Sequence, residues 1–126
     1  MCNLYTLRYL GELALLEGRV SDAVGHFEQA LSFDPEFSFA WLGMAECSRF
    51  AGDRKRALKL YLRTVTESQW NYRAWLRGCD LMLEMDFKDN AGSWWHRTVA
   101  AFPEHPEVMA ALAGGNSQEP ALQLNG

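Results

Sequence analysis

The chain has no apolar run longer than a few residues, no closely spaced pair of cysteines and no excess of positive charge. Each absence closes off a class of function. A helix that crosses a bilayer needs ~20 apolar residues in succession, and a secretory leader needs a charged segment running into an apolar one. Neither pattern is present, so no membrane association is expected. The cysteines Cys2, Cys47 and Cys79 are odd in number and widely spaced. They make neither a zinc nor a redox motif and read as reduced thiols of a cytoplasmic protein, with Cys47 and Cys79 as small core residues. Lys and Arg total 12 against 16 Asp and Glu, a net charge of −4. Tracking nucleic-acid phosphates needs clustered positive charge, so no nucleic-acid partner is expected.

Catalytic motifs are missing as well. His26, His96 and His105 do not stand at metal-ligand spacing on one face, and there is no P-loop, dinucleotide fingerprint, HExxH or GxSxG. No catalysis, metal or cofactor is expected.

What is present is a period. Ala23, Ala57 and Ala91 stand 34 residues apart, as do Phe27, Tyr61 and Trp95, and Leu7, Trp41 and Trp75. Val24, Leu58 and Gly92 keep the same step, as do Pro35, Gln69 and Pro103. Within each period the apolar spacing is helical. Leu4, Leu7, Leu10 and Ala14 share one face, and Gly18 then ends the helix where a left-handed residue costs least. The next helix takes Ser21 or Asp22 as its N-cap, stacks Ala23, Phe27, Ala30 and Leu31, and stops before Pro35. Each period is thus a pair of antiparallel helices. One pair cannot bury both of its apolar faces, so the pairs must stack.

The stretch FSFAW, residues 37–41, alternates like a strand, but the alternation arises where one helix ends and the next begins. Phe33 and Trp41 fall on columns that pack helix against helix, whereas Phe39 falls on the side away from them.

These columns resemble the tetratricopeptide repeat family over residues 4–103. The family's pattern is matched by Leu7, Leu10, Gly11, Ala14, Ala23, Phe27, Ala30 and Pro35. It recurs as Trp41, Met44, Ala45, Ser48, Ala57, Tyr61, Thr64 and Gln69, and again as Trp75, Gly78, Cys79, Met82, Ala91, Trp95, Thr98 and Pro103. The third repeat departs from it: Asp86 replaces the turn glycine and Gly92 a bulky core residue.

The resemblance implies an all-α fold, a right-handed α-α superhelix of helix-turn-helix repeats at 4–37, 38–71 and 72–105. A capping helix is expected over 104–113, with Val108, Met109 and Leu112 facing inward, and a flexible tail over 114–126. It also implies a protein-interaction scaffold whose concave groove holds a peptide. The groove positions fall on Tyr5, Arg8, Tyr9, Glu12 and Leu15, then Phe39, Leu42, Gly43, Glu46 and Arg49. In the third repeat they fall on Arg73, Leu76, Arg77, Asp80 and Leu83. Chaperone-binding members grip a C-terminal carboxylate with Lys, Asn, Asn, Lys and Arg. The matching positions here are Arg8, Glu12, Gly43, Arg73 and Arg77, which keep the cations and lose both amides. An acidic or C-terminal carboxylate ligand fits the three arginines; the same arginines would also pair with Glu12, Glu46 and Asp80 on a solvated surface.

Two features lie outside the groove. Arg54, Lys55, Arg56, Lys59 and Arg63 make one helix face basic, the usual condition of a solvated surface. The first helix is apolar almost all round, although a terminal repeat should present a polar outer face. It is therefore expected to dock on an upstream repeat, on another domain or on a second copy of the chain. On the second of these readings the chain is the accessory segment of a larger enzyme, such as a bacterial glycosyltransferase.

Overall fold

The computed structural model describes residues 3–114, and every regular element among them is an α-helix. In chain order these are α1 Leu4–Leu16, α2 Val20–Phe33, α3 Ser38–Phe50, α4 Arg54–Glu67, α5 Tyr72–Glu84, α6 Lys88–Ala101 and α7 Pro106–Gly114. Two compact units divide the chain, residues 1–69 with α1 to α4 and residues 70–126 with α5 to α7. Cys2, the side chain of Leu112 and the tail expected beyond Gly114 lie outside the described residues.

The sequence period recurs in the backbone. Positive φ occurs at Gly18 (76°), Gly52 (87°) and Asp86 (63°), the same column of three successive periods. Each residue closes the first helix of its pair in one hydrogen-bond pattern. Arg19 N–H donates to Ala14 O (2.8 Å), Asp53 N–H to Ser48 O (2.9 Å) and Phe87 N–H to Met82 O (2.8 Å). This reach back across the last turn satisfies carbonyls that the helix leaves unpaired, and it needs a left-handed residue just before the donor. Because the chain emerges already turned, α2 starts at Val20, earlier than a cap at Ser21 or Asp22 allows. Asp22 instead sits in the first turn of α2 and accepts from Arg19 Nη1 at 2.8 Å.

In the first unit, α2 packs on both α1 and α3. Its buried stripe is Ala23, Phe27 and Ala30, with Phe27 fully enclosed. The Phe27 ring lies between two glycines: a Cβ on Gly11 would come within 2.6 Å of it and one on Gly43 within 2.4 Å. Glycine at these two positions lets the backbones of α1 and α3 both close on one aromatic ring. Tyr61 takes the same column one period on, fully buried, and donates its hydroxyl hydrogen to Glu46 Oε2 at 2.8 Å.

Three apolar residues depart from the expected faces. Leu10 is 39% exposed because the buried stripe of α1 runs through Leu7, Gly11 and Ala14 and no helix among the described residues covers the flank beside it. Phe33 is 64% exposed; the stripe that passes through Ala23, Phe27 and Ala30 next reaches residue 34, so Phe33 lies off it. Met109 is 47% exposed while Val108, one residue away and on a different face, is buried.

In the second unit, aromatic side chains join α5 to α6. The Trp75 and Trp94 rings lie 4.7 Å apart, and Trp94 Nε1–H donates to Trp75 O at 2.8 Å. Gly92 contributes no side chain where the other repeats carry Val24 and Leu58. Trp95 takes the column of Phe27 and Tyr61, with its buried indole N–H meeting no acceptor among the described residues. The last helix begins at Pro106, two residues later than expected. Proline suits the first helical position, and His105 Nδ1 just before it accepts from Glu107 N–H at 3.2 Å.

Candidate functional site

Arg8 is the best-defined polar group on the first-helix face of unit one. Its guanidinium carbon lies 3.7 Å from the Phe39 ring centroid and 5.7 Å from that of Tyr9, and its Nε–H donates to Glu12 Oε2 at 2.8 Å. The helix spacing explains the last contact, since Arg8 and Glu12 are one turn apart on α1. Packing on Phe39 leaves the Arg8 side chain only 15% exposed. Phe37 links this group to Tyr5, with its ring centroid 5.7 Å from both Tyr5 and Phe39, each edge-on. Tyr5 and Tyr9 remain exposed, at 56% and 61%.

The other candidates of this unit are arranged differently. Leu42 is buried at 7% exposure. Glu46 accepts the hydrogen bond of Tyr61, and Arg49 acts on that same hydroxyl. Burial, reinforced by Glu46, pushes the Tyr61 phenol well above its ordinary range. Sequence reasoning missed Leu16 and Phe50, which are 86% and 62% exposed and close α1 and α3. The available signal was their spacing: each stands four residues after Glu12 or Glu46 and eleven after Tyr5 or Phe39, hence on the same helix face.

In the second unit Arg73 Nε–H lies 3.4 Å from Tyr72 Oη, and that hydroxyl donates to Glu107 Oε1 at 2.8 Å. The Tyr72 ring stacks on His105 with centroids 3.7 Å apart. Arg73, Leu76 and Asp80 are half-buried and Arg77 is exposed. Arg8 therefore belongs to one compact unit and Arg73 and Arg77 to the other.

Among the described residues no group of three His, Cys, Asp or Glu could hold a metal ion, and no helix is long and apolar enough to cross a membrane. Burial pushes the Cys47 thiol up to about 11 and the Cys79 thiol up to about 12, with Glu46 and Asp80 adding to the effect, so neither is a reactive thiolate at neutral pH.

Helix pairs that repeat every 34 residues, close with the same left-handed turn and bury one aromatic column define a helix-turn-helix repeat protein. Solved structures identify the repeat. The type III secretion translocator chaperone SycD of Yersinia enterocolitica superposes with a TM-score of 0.82 at 20% identity, covering 97% of this chain and 92% of its own. PcrH of Pseudomonas aeruginosa, in complex with the chaperone binding region of PopD, gives 0.79 at 22% identity over 98% of this chain and 93% of its own. The first TPR of Spaghetti (RPAP3), bound to the HSP90 peptide SRMEEVD, gives 0.78 at 14% identity over 97% and 94%. The chain has the tetratricopeptide-repeat fold. No family model matches its sequence, and no curated protein matches it.

Proposed function

We propose that the chain is a non-catalytic scaffold that holds a peptide segment of a partner protein against the first helices of its repeats. The observation that carries this reading is Arg8, held by Glu12 and over the Phe39 ring, with exposed Tyr5 and Tyr9 close by. A cation already fixed among exposed aromatic rings loses little freedom on binding, and it suits a peptide that offers a carboxylate beside apolar side chains. In the first unit Arg8 orients a carboxylate while Tyr5, Tyr9 and Phe39 meet apolar groups; in the second, taken by itself, Arg73 and Arg77 offer the same kind of contact. Glu12, Glu46, Arg49, Leu76 and Asp80 complete the contact set.

Similar proteins support the reading, since PcrH and Spaghetti are each seen with a peptide or segment of a partner. On this view the repeats are 4–37, 38–71 and 72–105, closed by α7, and the free cysteines Cys47 and Cys79 suit a cytoplasmic setting. The probe that tests the reading is fluorescein-labelled SRMEEVD, compared with the same peptide carrying amides in place of its carboxylates. Fluorescence anisotropy is expected to show binding of the acidic peptide, at least ~10-fold weaker binding of the neutral one, and loss of binding in Arg8→Ala and in Arg73→Ala/Arg77→Ala. Undiminished binding by both variants would remove the basis of the proposal.

A further inference from the structure

The first repeat leaves open a face that the second repeat buries. In α3 the positions Ala40, Gly43, Met44 and Cys47 are all buried, Gly43 directly against Phe27 of α2. One period earlier, on α1, the same positions are Thr6, Tyr9, Leu10 and Leu13. Here Thr6 is half-buried, and Tyr9, Leu10 and Leu13 are 61%, 39% and 50% exposed. This is the repeat-stacking face of the fold without its cover.

We infer that this face of α1 pairs with α1 of a second copy of the chain, antiparallel about a two-fold axis. Three observations select that occupant. A preceding repeat would cover α2 as well, and would need an apolar residue where Leu60 of α4 packs on the core of the first unit. The counterpart of Leu60 on α2 is His26, so α2 lacks the apolar residue that this contact uses. Charge points the same way. Each charge on or beside α1 is paired within the chain, Arg8 with Glu12 and Glu17 with Arg19, so two chains of net charge −4 meet here without opposing like charges. Spacing is the third observation. A two-fold axis between Leu10 and Leu13 sets each leucine against the other's counterpart and Thr6 against Glu17 of the second copy, an isologous seam. One helix pair buries less than the roughly 1,200 Å2 of a standard interface, so association is concentration-dependent.

The test is sedimentation velocity of the full chain over a concentration series. The expected result is a shift from monomer towards dimer, weakened at least ~10-fold by Leu13→Glu. The thermal melt of Leu13→Glu should match the wild type at low concentration, because the side chain is half exposed. In a Cys2→Ser background, mixed Leu10→Cys and Leu13→Cys chains should oxidise to the mixed dimer in preference to either homodimer. A wild-type chain that stays monomeric up to about 1 mM, the range of the weakest specific association, overturns the inference. So does association that Leu13→Glu leaves unchanged, or homodimer yields equal to the mixed yield.

Discussion

Arg8 lies on Phe39 with its guanidinium carbon 3.7 Å from the ring centroid, joining α1 to α3 on the face that the first helices present. A planar cation stacks on a ring and keeps its outer N–H groups aimed along one edge, whereas an ammonium does not. Partly desolvated contacts of this type contribute about 1–2 kcal/mol. Arg8→Lys keeps the charge but loses the stack, so affinity for the acidic heptapeptide should fall roughly 5- to 30-fold. Phe39→Leu should produce a similar loss with Arg8 intact. Anisotropy titration of both variants checks this, and a loss in Arg8→Lys alone would show that the ring does not position the cation.

Gly43 and Gly25 make a matched pair for core packing. Both are helical, but a Cβ on Gly43 would meet the enclosed Phe27 ring at 2.4 Å, while one on Gly25 meets nothing within 4 Å. Gly43→Ala should destabilise the chain by about 1–3 kcal/mol through overpacking. Gly25→Ala should stabilise it by roughly 0.5–1 kcal/mol through backbone entropy. Phe27→Leu combined with Gly43→Ala should cost less than the sum of the single changes, because the smaller side chain makes room for the methyl group. Urea midpoints of the wild type, the three single variants and the double variant decide the matter.

The helices, their pairing and the aromatic column were legible in the sequence because they follow from apolar spacing and from residues that stop helices. Which flank of a helix is covered was not legible. Leu10 and Met44 occupy the same column, yet Leu10 is 39% exposed and Met44 only 7%, because α2 packs on α3 and no helix among the described residues packs on α1 in the same way. Side-chain partners were equally hidden. Glu12 and Glu46 share a column, but Glu12 holds an arginine of its own helix and Glu46 the tyrosine of the next. The difference lies in residue 27 against residue 61: Phe27 has no hydroxyl to offer Glu12, whereas Tyr61 offers one to Glu46.

Asp86 holds a φ of 63° at the position where Gly18 and Gly52 close the other two turns. A left-handed backbone costs an L-residue roughly 1–2 kcal/mol, less for aspartate, and glycine almost nothing. The ion pair of Asp86 with Lys88 at 3.8 Å is exposed and offsets little of this. Asp86→Gly should therefore raise stability by about 0.5–1 kcal/mol, whereas Gly52→Ala should lower it by about 1 kcal/mol although its Cβ would meet nothing within 4 Å. Thermal melts that rank the variants in the opposite order would show that contacts, and not φ, control this column.

Cys47 and Cys79 tie the stability of both units to alkaline pH. Burial raises their thiols from an ordinary 9.0 to about 11 and about 12. Below pH 9 both states keep the proton, and stability does not depend on these groups. Above pH 9 the unfolded chain releases protons that the folded chain retains. Stability is then lost as pH rises, by up to about 1.4 kcal/mol per pH unit for each thiol, until the folded values are reached. Tyr61, raised by burial and by Glu46, acts in the same direction. Urea midpoints of the wild type should be flat from pH 7 to 8.5 and fall between pH 9 and 11. Cys47→Ala/Cys79→Ala should start from lower stability, because two buried side chains are trimmed, and should fall less steeply. Equal slopes for the two proteins would mean that the thiols are already solvated in the folded chain.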